Sequence, residues 1–433
     1  MKASLPLLIV ASAKSQQLGP TNPPWEPTYD LKMSSISMQC NSSGYSNYER
    51  GSEFGIISYD WSNTKAIWAM AQPMTCEENL QTQAEKTKAE NPDAHVFVYR
   101  NIVKALPWYS SVRKILDDPA YSGFFLQWNE TALANGDLHV PNCAAEDGTK
   151  CSPFYHDQLQ TPEVDGGDGQ CPETGCDCGL HPCGEYLFDH RNSSLAQWII
   201  DEMILTDSSI LNEAIDGMFM DDFWCSDLLT PGCNDPVQGA TEIDANQQVD
   251  MGLSDEDIKD LTIAWEHTMG LVQQTILDNG SYTWSLMQNE GNANASPFLL
   301  TQDSCAGTLR EACKKDSDWQ MNTNLFGLTV GENNTLPQLV EDVAFFMLAR
   351  GDYAYLGWGL WGMTWPFNPE PAHGTVPPSD GGVPKPDLIQ QDFGMPNGLC
   401  IETTEGGGVF RREYDSGSVE LDCNLMKGLV PDF

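Results

Sequence analysis

Positive charge is scarce in this chain. Its 433 residues contain 22 Lys+Arg against 62 Asp+Glu, which gives a formal net charge of -40 at pH 7. Such an excess of negative charge repels the phosphate groups of nucleic acids and anionic lipids, so we predict no nucleic-acid partner. Apolar runs of the roughly 18 residues that a transmembrane helix needs are also missing, which argues against a membrane span. Hydrophobic residues nevertheless make up 40% of the chain, enough for a folded core.

Several motifs of common catalytic classes are absent. No G-x-G-x-x-G follows the first predicted strand, which disfavours a nucleotide-binding doubly wound sheet. G-x-S-x-G and H-E-x-x-H do not occur, and the seven His are scattered, which disfavours a serine or metal-dependent hydrolase. We therefore expect no cofactor and no metal, with a Ser- or metal-dependent hydrolase kept as an alternative.

The first residues of the chain are typical of a secretory signal. Lys2 precedes the apolar run Leu5 to Val10, and residues 11–13 are small, so we predict a signal peptide over residues 1–13; a buried N-terminal strand is the alternative. The chain has 14 Cys, an even number that favours disulfides in an oxidising compartment. Six N-glycosylation sequons point the same way, at Asn41, Asn129, Asn192, Asn279, Asn294 and Asn333. We predict a secreted glycoprotein.

Cysteines are concentrated in one Gly-, Pro- and Asp-rich stretch, residues 143–183. It holds Cys143, Cys151, Cys171, Cys176, Cys178 and Cys183. Because C-x-x-C pairs are missing and export favours oxidation, the stretch predicts an insertion stabilised by disulfides, with a zinc site as the alternative.

Elsewhere, short apolar runs rich in β-formers alternate with helical patterns, as in a parallel sheet with crossover helices. Eight such runs occur, at residues 55–59, 95–99, 123–126, 185–188, 217–220, 282–287, 325–330 and 353–358. Eight βα units predict an α/β fold of the (β/α)8 TIM-barrel class over residues 14–390, with a doubly wound sheet as the competitor. The clearest helix is predicted from Asp255 to Leu277, with Ser254 as its N-cap.

Carboxylates follow several of the predicted strands, where a TIM barrel places its active site. Hydrolysis of a glycosidic bond requires two carboxyl groups, one to protonate the leaving oxygen and one to attack or to activate water. Asp222 directly follows the run GMFMD, so we predict it as the catalytic carboxylate, with Asp221 as the alternative because strand alternation lets only one point inward. Glu290 is predicted as the proton donor; a solvated loop glutamate is the competing interpretation.

Further polar and aromatic residues stand at the same strand ends and suit sugar binding, because aromatic faces cover the apolar side of a pyranose. The predicted substrate-binding residues are Asp60, Arg100, Trp128, Asp189, His190, Trp224 and Trp358. Asp60 is equally suited to a turn or N-cap, and Asp189 to an ion pair with Arg191.

Three segments resemble a known family: 185-EYLFDHRNSSLAQWIIDEMI-204, 215-IDGMFMDDFW-224, and the tail 392-DFGMPNGLC-400 with 409-VFRREYDSGSVELDC-423. They are similar to TIM-barrel glycoside hydrolases, in particular the hypothetical glycosyl hydrolase group 15. The resemblance implies a barrel whose DGxFxD strand end carries the active-site carboxylate, here Asp222 or Asp221. It also implies a closing C-terminal β-hairpin, within an extension at residues 391–433 that packs on the barrel.

These patterns together predict a secreted, disulfide-bonded glycoside hydrolase acting on a poly- or oligosaccharide. The alternative is a non-catalytic extracellular protein that binds glycans or has a structural role on the same scaffold.

Overall fold

The computed structural model describes residues 22–42, 44–46, 48–135, 152–157, 161–162, 171–222, 224, 245–285, 298–331, 335–357 and 385–431. The strands are β1 (Ile36–Gln39), β2 (Ile56–Tyr59), β3 (His95–Asn101), β4 (Lys104–Ala105), β5 (His156–Asp157), β6 (Glu185–Leu187), β7 (Gly217–Asp221), β8 (Tyr282–Ser285), β9 (Phe298–Leu299), β10 (Asn324–Gly327), β11 (Ala354–Gly357), β12 (Ile401–Glu402), β13 (Val409–Tyr414), β14 (Gly417–Asp422) and β15 (Lys427–Leu429).

Most of the helices follow the parallel strands in the chain. They are α1 (Tyr48–Gly51), α2 (Lys65–Trp68), α3 (Cys76–Glu90), α4 (Ser110–Leu116), α5 (Glu130–Asn135), α6 (Leu195–Ile199), α7 (Ala245–Met251), α8 (Asp255–Asp278), α9 (Gln302–Ala312), α10 (Asp318–Met321) and α11 (Leu339–Ala349). Short 3-10 helices span Pro119–Phe124 and Asp387–Gln390, and a π-helical turn spans Ile200–Ile204. None of these described helices combines the length and apolarity needed to cross a bilayer.

Eight parallel strands follow one another in chain order. One sheet has the order β1-β2-β3-β7-β8, and a second has the order β11-β10-β9. A parallel bridge between Ser35 and Leu356 joins the two sheets at β1 and β11. This order is that of a (β/α)8 barrel. Within the described ranges no pairing joins β8 to β9, so a closed barrel is not observed there.

Two of the eight predicted barrel strands are wrong, and two parallel strands were missed. Residues 123–124 end a 3-10 helix, and Phe125 makes an isolated antiparallel bridge with Phe188. Residues 185–188 contain β6, which belongs to a separate antiparallel sheet. The missed strands are β1 and the two-residue β9. In β1 the buried Ser37 and Gln39 break the apolar pattern, and Gln39 Nε2 donates a 2.9 Å hydrogen bond to Ser37 Oγ.

The predicted helix after residue 254 is confirmed. α8 begins with a capping box between Ser254 and Asp257 and ends one residue beyond the prediction. Its buried side chains include Ile258, Trp265 and Ile276, which repeat at helical spacing and pack into the hydrophobic core.

A small antiparallel sheet has the order β4-β6-β5, and of its three strands β5 lies in the Cys-rich stretch, residues 143–183. Disulfides Cys171–Cys176 and Cys178–Cys183 close two short loops directly before β6, so the predicted disulfides are confirmed for these four cysteines. Cys143 and Cys151 lie outside the described residues. Since β4 starts three residues after the last residue of β3, this small sheet, here called the cover sheet, is held beside the carboxyl end of the parallel sheet.

The C-terminal residues form a four-stranded antiparallel sheet with the order β12-β13-β14-β15, so β13 and β14 are the hairpin that the resemblance implied. Two disulfides, Cys305–Cys423 and Cys313–Cys400, tie this sheet to α9 and to the turn that follows it. Arg412 also donates to the carbonyl oxygens of Met347 and Arg350 at the end of α11. With Cys171–Cys176 and Cys178–Cys183, the four described disulfides are consistent with an extracellular protein.

Candidate functional site

Asp222 directly follows β7, and its backbone adopts a left-handed conformation with φ 57°. L-residues rarely adopt this conformation, and Asp and Asn tolerate it better than most. The left-handed residue interrupts the alternation of side chains along the strand. Asp221 and Asp222 therefore both reach one hydrogen-bonded network, and the expectation that only one of them points inward is wrong. Backbone strain of this kind is concentrated at functional sites.

Asn101, the last residue of β3, fixes that network. Its Oδ1 accepts hydrogen bonds from the backbone N–H groups of Val103 and Lys104 at 2.9 and 2.8 Å, which sets the orientation of its amide. Its Nδ2 then donates to Asp222 Oδ2 at 2.7 Å and to the Tyr99 hydroxyl at 3.0 Å. The Tyr99 hydroxyl in turn donates to Asp221 Oδ2 at 2.9 Å. The end of β3 thus orients both carboxylates at the end of β7.

The cover sheet adds a cation and a further carboxylate. Lys104 Nζ of β4 lies 2.8 Å from Glu185 Oε2 of β6 and 3.4 Å from Asp222 Oδ2. The side chains of Lys104, Glu185 and Asp222 are 11%, 5% and 6% exposed. Because both oxygens contact one ammonium group, they lie no more than about 6 Å apart. In β5, Asp157 pairs with Glu185 across the strands and so shares its face of the sheet.

Burial shifts the acid–base behaviour of the two aspartates. Burial, aided by the neighbouring Asp221 carboxylate, raises the pKa of Asp222 to about 6 against the lowering effects of Lys104 and of the hydrogen bond from Asn101. The pKa of Asp221 is raised as well, chiefly by burial. Asp222 can therefore change its protonation state close to neutral pH, as a catalytic acid or base must.

Asp60, predicted as a substrate-binding residue, lies on the same side as this network. It is buried at the end of β2, where its Oδ1 accepts hydrogen bonds from the Ser62 backbone N–H and hydroxyl groups. The negative charge of Asp60 contributes to the raised pKa of Asp221, which places the two carboxylates within electrostatic reach.

Arg100 and His190 have their polar atoms bound within the protein. The buried Arg100 guanidinium donates to the carbonyl oxygens of Tyr99, Met203 and Ser208, because Arg100 points to the opposite face of β3 from Asn101. The ring of His190 is bonded to Ile102 O and Thr268 Oγ1, and burial lowers its pKa to about 4. We assign both residues to the support of the fold and leave them out of the proposed site.

Asp189 forms an ion pair with Arg191, the role that was predicted as the alternative to substrate binding. Arg191 Nε lies 2.9 Å from Asp189 Oδ1, and Arg191 Nη1 lies 2.7 Å from Asp257 Oδ1 at the start of α8. This pairing explains the position of Asp189 without a ligand.

The two described tryptophans of the predicted site are buried. Trp128 packs on Tyr155 with ring centroids 4.8 Å apart, and Trp224 follows Asp222 by two residues. Among the described groups, the indole N–H of each has no hydrogen-bond partner. Glu290 and Trp358 lie outside the described residues.

Sequence reasoning missed Lys104, Glu185 and Tyr99. Glu185 opens a run that was assigned to the barrel, where it would lie at the opposite end from the catalytic rim, so the wrong strand assignment hid it. Lys104 carried a usable signal, because it is the one charged residue in the apolar run Ile102 to Trp108.

In the described part of the chain, no group of three or more His, Cys, Asp or Glu side chains is arranged to hold a metal ion.

No protein-family model and no curated protein matches the chain, so the resemblance to hypothetical glycosyl hydrolase group 15 is not confirmed and stays a prediction. Similar solved structures include the isomaltulose synthase of Klebsiella sp. LX3 (10% identity, 60% of this chain and 45% of that chain, TM-score 0.31). Others are the trehalose-6-phosphate hydrolase of Bacillus licheniformis (9%, 78% and 66%, 0.33) and the debranching enzyme of Nostoc punctiforme (9%, 92% and 91%, 0.38).

These neighbours are carbohydrate-active enzymes, and this chain spans less than half the length of the first and about two thirds of the second. Each of these TM-scores is below 0.5, so the likeness assigns no role to any residue of this chain.

Proposed function

We propose that this chain is a secreted glycoside hydrolase, built on a closed (β/α)8 barrel, that cleaves O-glycosidic bonds with two carboxyl groups. Asp222 carries the proposal. It is a buried carboxylate in a strained backbone conformation at the end of the fourth parallel strand, with a pKa of about 6. These properties suit a group that reacts at the rim of a parallel barrel and have no evident structural purpose.

Asp222 acts as the ionised carboxylate, which attacks the anomeric carbon or removes a proton from the attacking water. It is predominantly ionised above about pH 6, so it is competent at neutral pH. Asn101 orients one of its oxygens, and Tyr99 holds Asp221 beside it. The second carboxyl group protonates the departing glycosidic oxygen, and Glu290 remains the proposed donor. Both electrons of the broken bond stay with that oxygen, which leaves as a sugar hydroxyl. If Asp222 attacks, water then displaces it from the anomeric carbon and restores the free carboxylate; if Asp222 activates water, that water bonds to the anomeric carbon directly.

The surroundings of Asp222 suit a carbohydrate. Trp224 lies two residues after Asp222, its buried indole N–H has no partner among the described groups, and Asp60 lies within electrostatic reach of Asp221. Aromatic faces bind the apolar side of a sugar ring, while N–H and carboxylate groups bind its hydroxyls. Export is supported by the four described disulfides.

The test is the variant Asp222→Asn, assayed for product release on a panel of polysaccharides. Asparagine tolerates the left-handed backbone and keeps the shape of the side chain, so folding is preserved while the charge is lost. We expect kcat to fall by at least about a thousandfold at an unchanged Tm.

Asp216→Asn is the matched control, since Asp216 is a carboxylate directly before the opposite end of β7, where it pairs with Lys88 at 2.8 Å. It should lower Tm and leave kcat unchanged. An active Asp222→Asn enzyme would remove Asp222 from the mechanism. Binding of a glycan by the wild-type chain with no products would instead support the non-catalytic alternative.

A further inference from the structure

We propose that Lys104 is a positioning residue whose ammonium group, shared between Glu185 and Asp222, holds the Asp222 carboxylate ionised and in place. Glu185 is the counter-charge that limits this effect. The inference deepens the proposed function, because the reaction needs Asp222 in its ionised form.

The Lys104 ammonium group lies close to two carboxylates, at different distances. Its Nζ is 2.8 Å from Glu185 and 3.4 Å from Asp222, and all three side chains are almost fully buried. At such separations in a poorly solvated site, an opposite charge stabilises an ionised carboxylate. The shorter distance to Glu185 means that part of the lysine charge is already compensated. Asp222 therefore receives an attraction that depends on the charge of Glu185.

Backbone contacts fix the lysine. The Lys104 N–H donates to Asn101 Oδ1, the same amide group that orients Asp222, and Val103 O accepts a hydrogen bond from Phe188 N at 3.0 Å. The cation and its carboxylate are thus positioned by one side chain, Asn101. A lysine that only packed between the two sheets would not require hydrogen bonds between Asn101 and both Lys104 and Asp222.

Glu185 is fixed in a different way. It directly follows Gly184, whose φ is +156°, and a Cβ at Gly184 would lie only 2.7 Å from Asp157 O. The Cys178–Cys183 disulfide closes the loop just before it. The start of β6 therefore has little freedom, and Glu185 is held where it contacts Lys104.

Other charged and titratable groups also face this site. From the neighbouring elements these are Asp221 on β7, Tyr99 on β3, Asp60 after β2 and Asp157 on β5. All of them are acidic groups, and Lys104 acts on both Asp221 and Asp222 to favour their ionised forms. Removing the lysine charge therefore leaves several acids close together, which must disfavour ionisation of Asp222.

The experiment measures the pKa of Asp222 in the full chain without using activity. The protein is labelled with 13C at the aspartate carboxyl groups, and the Asp222 signal is identified by its loss in Asp222→Asn. Titration from pH 3 to pH 9 is then compared for the wild type, Lys104→Met, Lys104→Arg and Glu185→Gln.

We expect Lys104→Met to raise the pKa of Asp222 by about one to two pH units and Glu185→Gln to lower it by about one. Lys104→Arg, which keeps the charge, should restore the wild-type value. When a glycan is hydrolysed, the lower pKa of the kcat/KM profile should rise in Lys104→Met and fall in Glu185→Gln by the same amounts.

A purely structural ion pair predicts something different. Breaking it from either side would lower Tm, and the pKa of Asp222 would stay constant or move the same way in both variants. Either pattern overturns the proposal. If Lys104→Met does not fold, Glu185→Gln and Lys104→Arg still decide it, since an unchanged pKa in Glu185→Gln contradicts the shared charge. If the pKa of Asp222 shifts in opposite directions in Lys104→Met and Glu185→Gln but the protein cleaves no glycan, the role of Lys104 is supported. The proposed hydrolase function is then refuted.

Discussion

Lys385 is a buried lysine far in sequence from the proposed site, and it makes the free energy of unfolding change with pH in the alkaline range. Its Nζ donates to Ser35 Oγ at 2.7 Å and to Glu53 O at 2.9 Å, and it lies 4.5 Å from the centre of the Phe54 ring. Burial lowers its pKa from 10.5 to about 7. Between these values, the unfolded chain binds a proton at Lys385 that the folded protein does not.

The sign and size of the effect follow. Since the unfolded state binds the extra proton, raising the pH from about 7 toward 10.5 increases the free energy of unfolding. Each pH unit contributes about 1.4 kcal/mol, so the interval from pH 7.5 to 9.5 is worth about 3 kcal/mol. Below about pH 7, both states bind the proton and the contribution becomes constant.

The perturbation is Lys385→Met, which keeps the length and packing of the side chain and removes the titration. Urea unfolding at pH 7.5, 8.5 and 9.5 gives the free energy of unfolding for both proteins. We expect the wild type to gain about 3 kcal/mol relative to the variant over this interval. The variant also loses two buried hydrogen bonds, a cost of about 1 to 3 kcal/mol for each group left unpaired that does not change with pH.

Exposed Lys114 provides the control, because Lys114→Met should follow the pH dependence of the wild type. A difference between wild type and Lys385→Met that is constant from pH 7.5 to 9.5 would refute the reasoning. If Lys385→Met is too unstable to measure, Lys385→Gln removes the same titration and retains a polar group toward Ser35.

Two further predictions concern the described disulfides and a buried histidine. Cys305 and Cys423 are 118 residues apart, but the nested Cys313–Cys400 disulfide, with a separation of 87, shortens the loop that Cys305→Ala/Cys423→Ala opens to about 30 residues. Cys171→Ala/Cys176→Ala opens a loop of 5. We expect the first pair to lower the free energy of unfolding by about 1.5 kcal/mol more in denaturant titrations; equal losses would contradict this. Burial lowers the pKa of His190 from 6.5 to about 4, so stability should fall as the pH falls through this interval, by about 3 kcal/mol relative to His190→Gln. The same change at exposed His267 should leave the wild-type pH dependence intact.

The sequence predicted the parallel strands best where both faces are apolar. The run GMFMD became β7, and the acid after it stands at the centre of the proposed site. β1 was missed because Ser37 and Gln39 are buried as a hydrogen-bonded pair, which no hydropathy pattern reveals. The run at residues 185–188 was misassigned because a short antiparallel strand buried on both faces has the same composition as a barrel strand.

Only the site residues that directly follow a strand were predicted from the sequence. Position after a strand selected Asp222, Asp221 and Asp60, and the Asp221 carboxylate interacts electrostatically with each of the other two. The same rule also selected Arg100, although strand alternation turns its side chain toward the opposite face of β3. Lys104 and Glu185 reach Asp222 through the cover sheet, and a contact between residues 81 positions apart depends on tertiary structure rather than on any local pattern.

The parallel bridge between Ser35 and Leu356 has a consequence during synthesis. Arg350 strengthens the same junction by donating to the carbonyl oxygen of Tyr29, across a sequence separation of 321 residues. At a translation rate of about 5 to 20 residues per second, roughly 15 to 65 seconds pass between the emergence of these two segments. Among the described strands, β1 therefore acquires its second neighbour only after about 320 further residues have been made. An unpaired strand edge is prone to aggregation, so a chaperone that covers this edge is most effective in that interval.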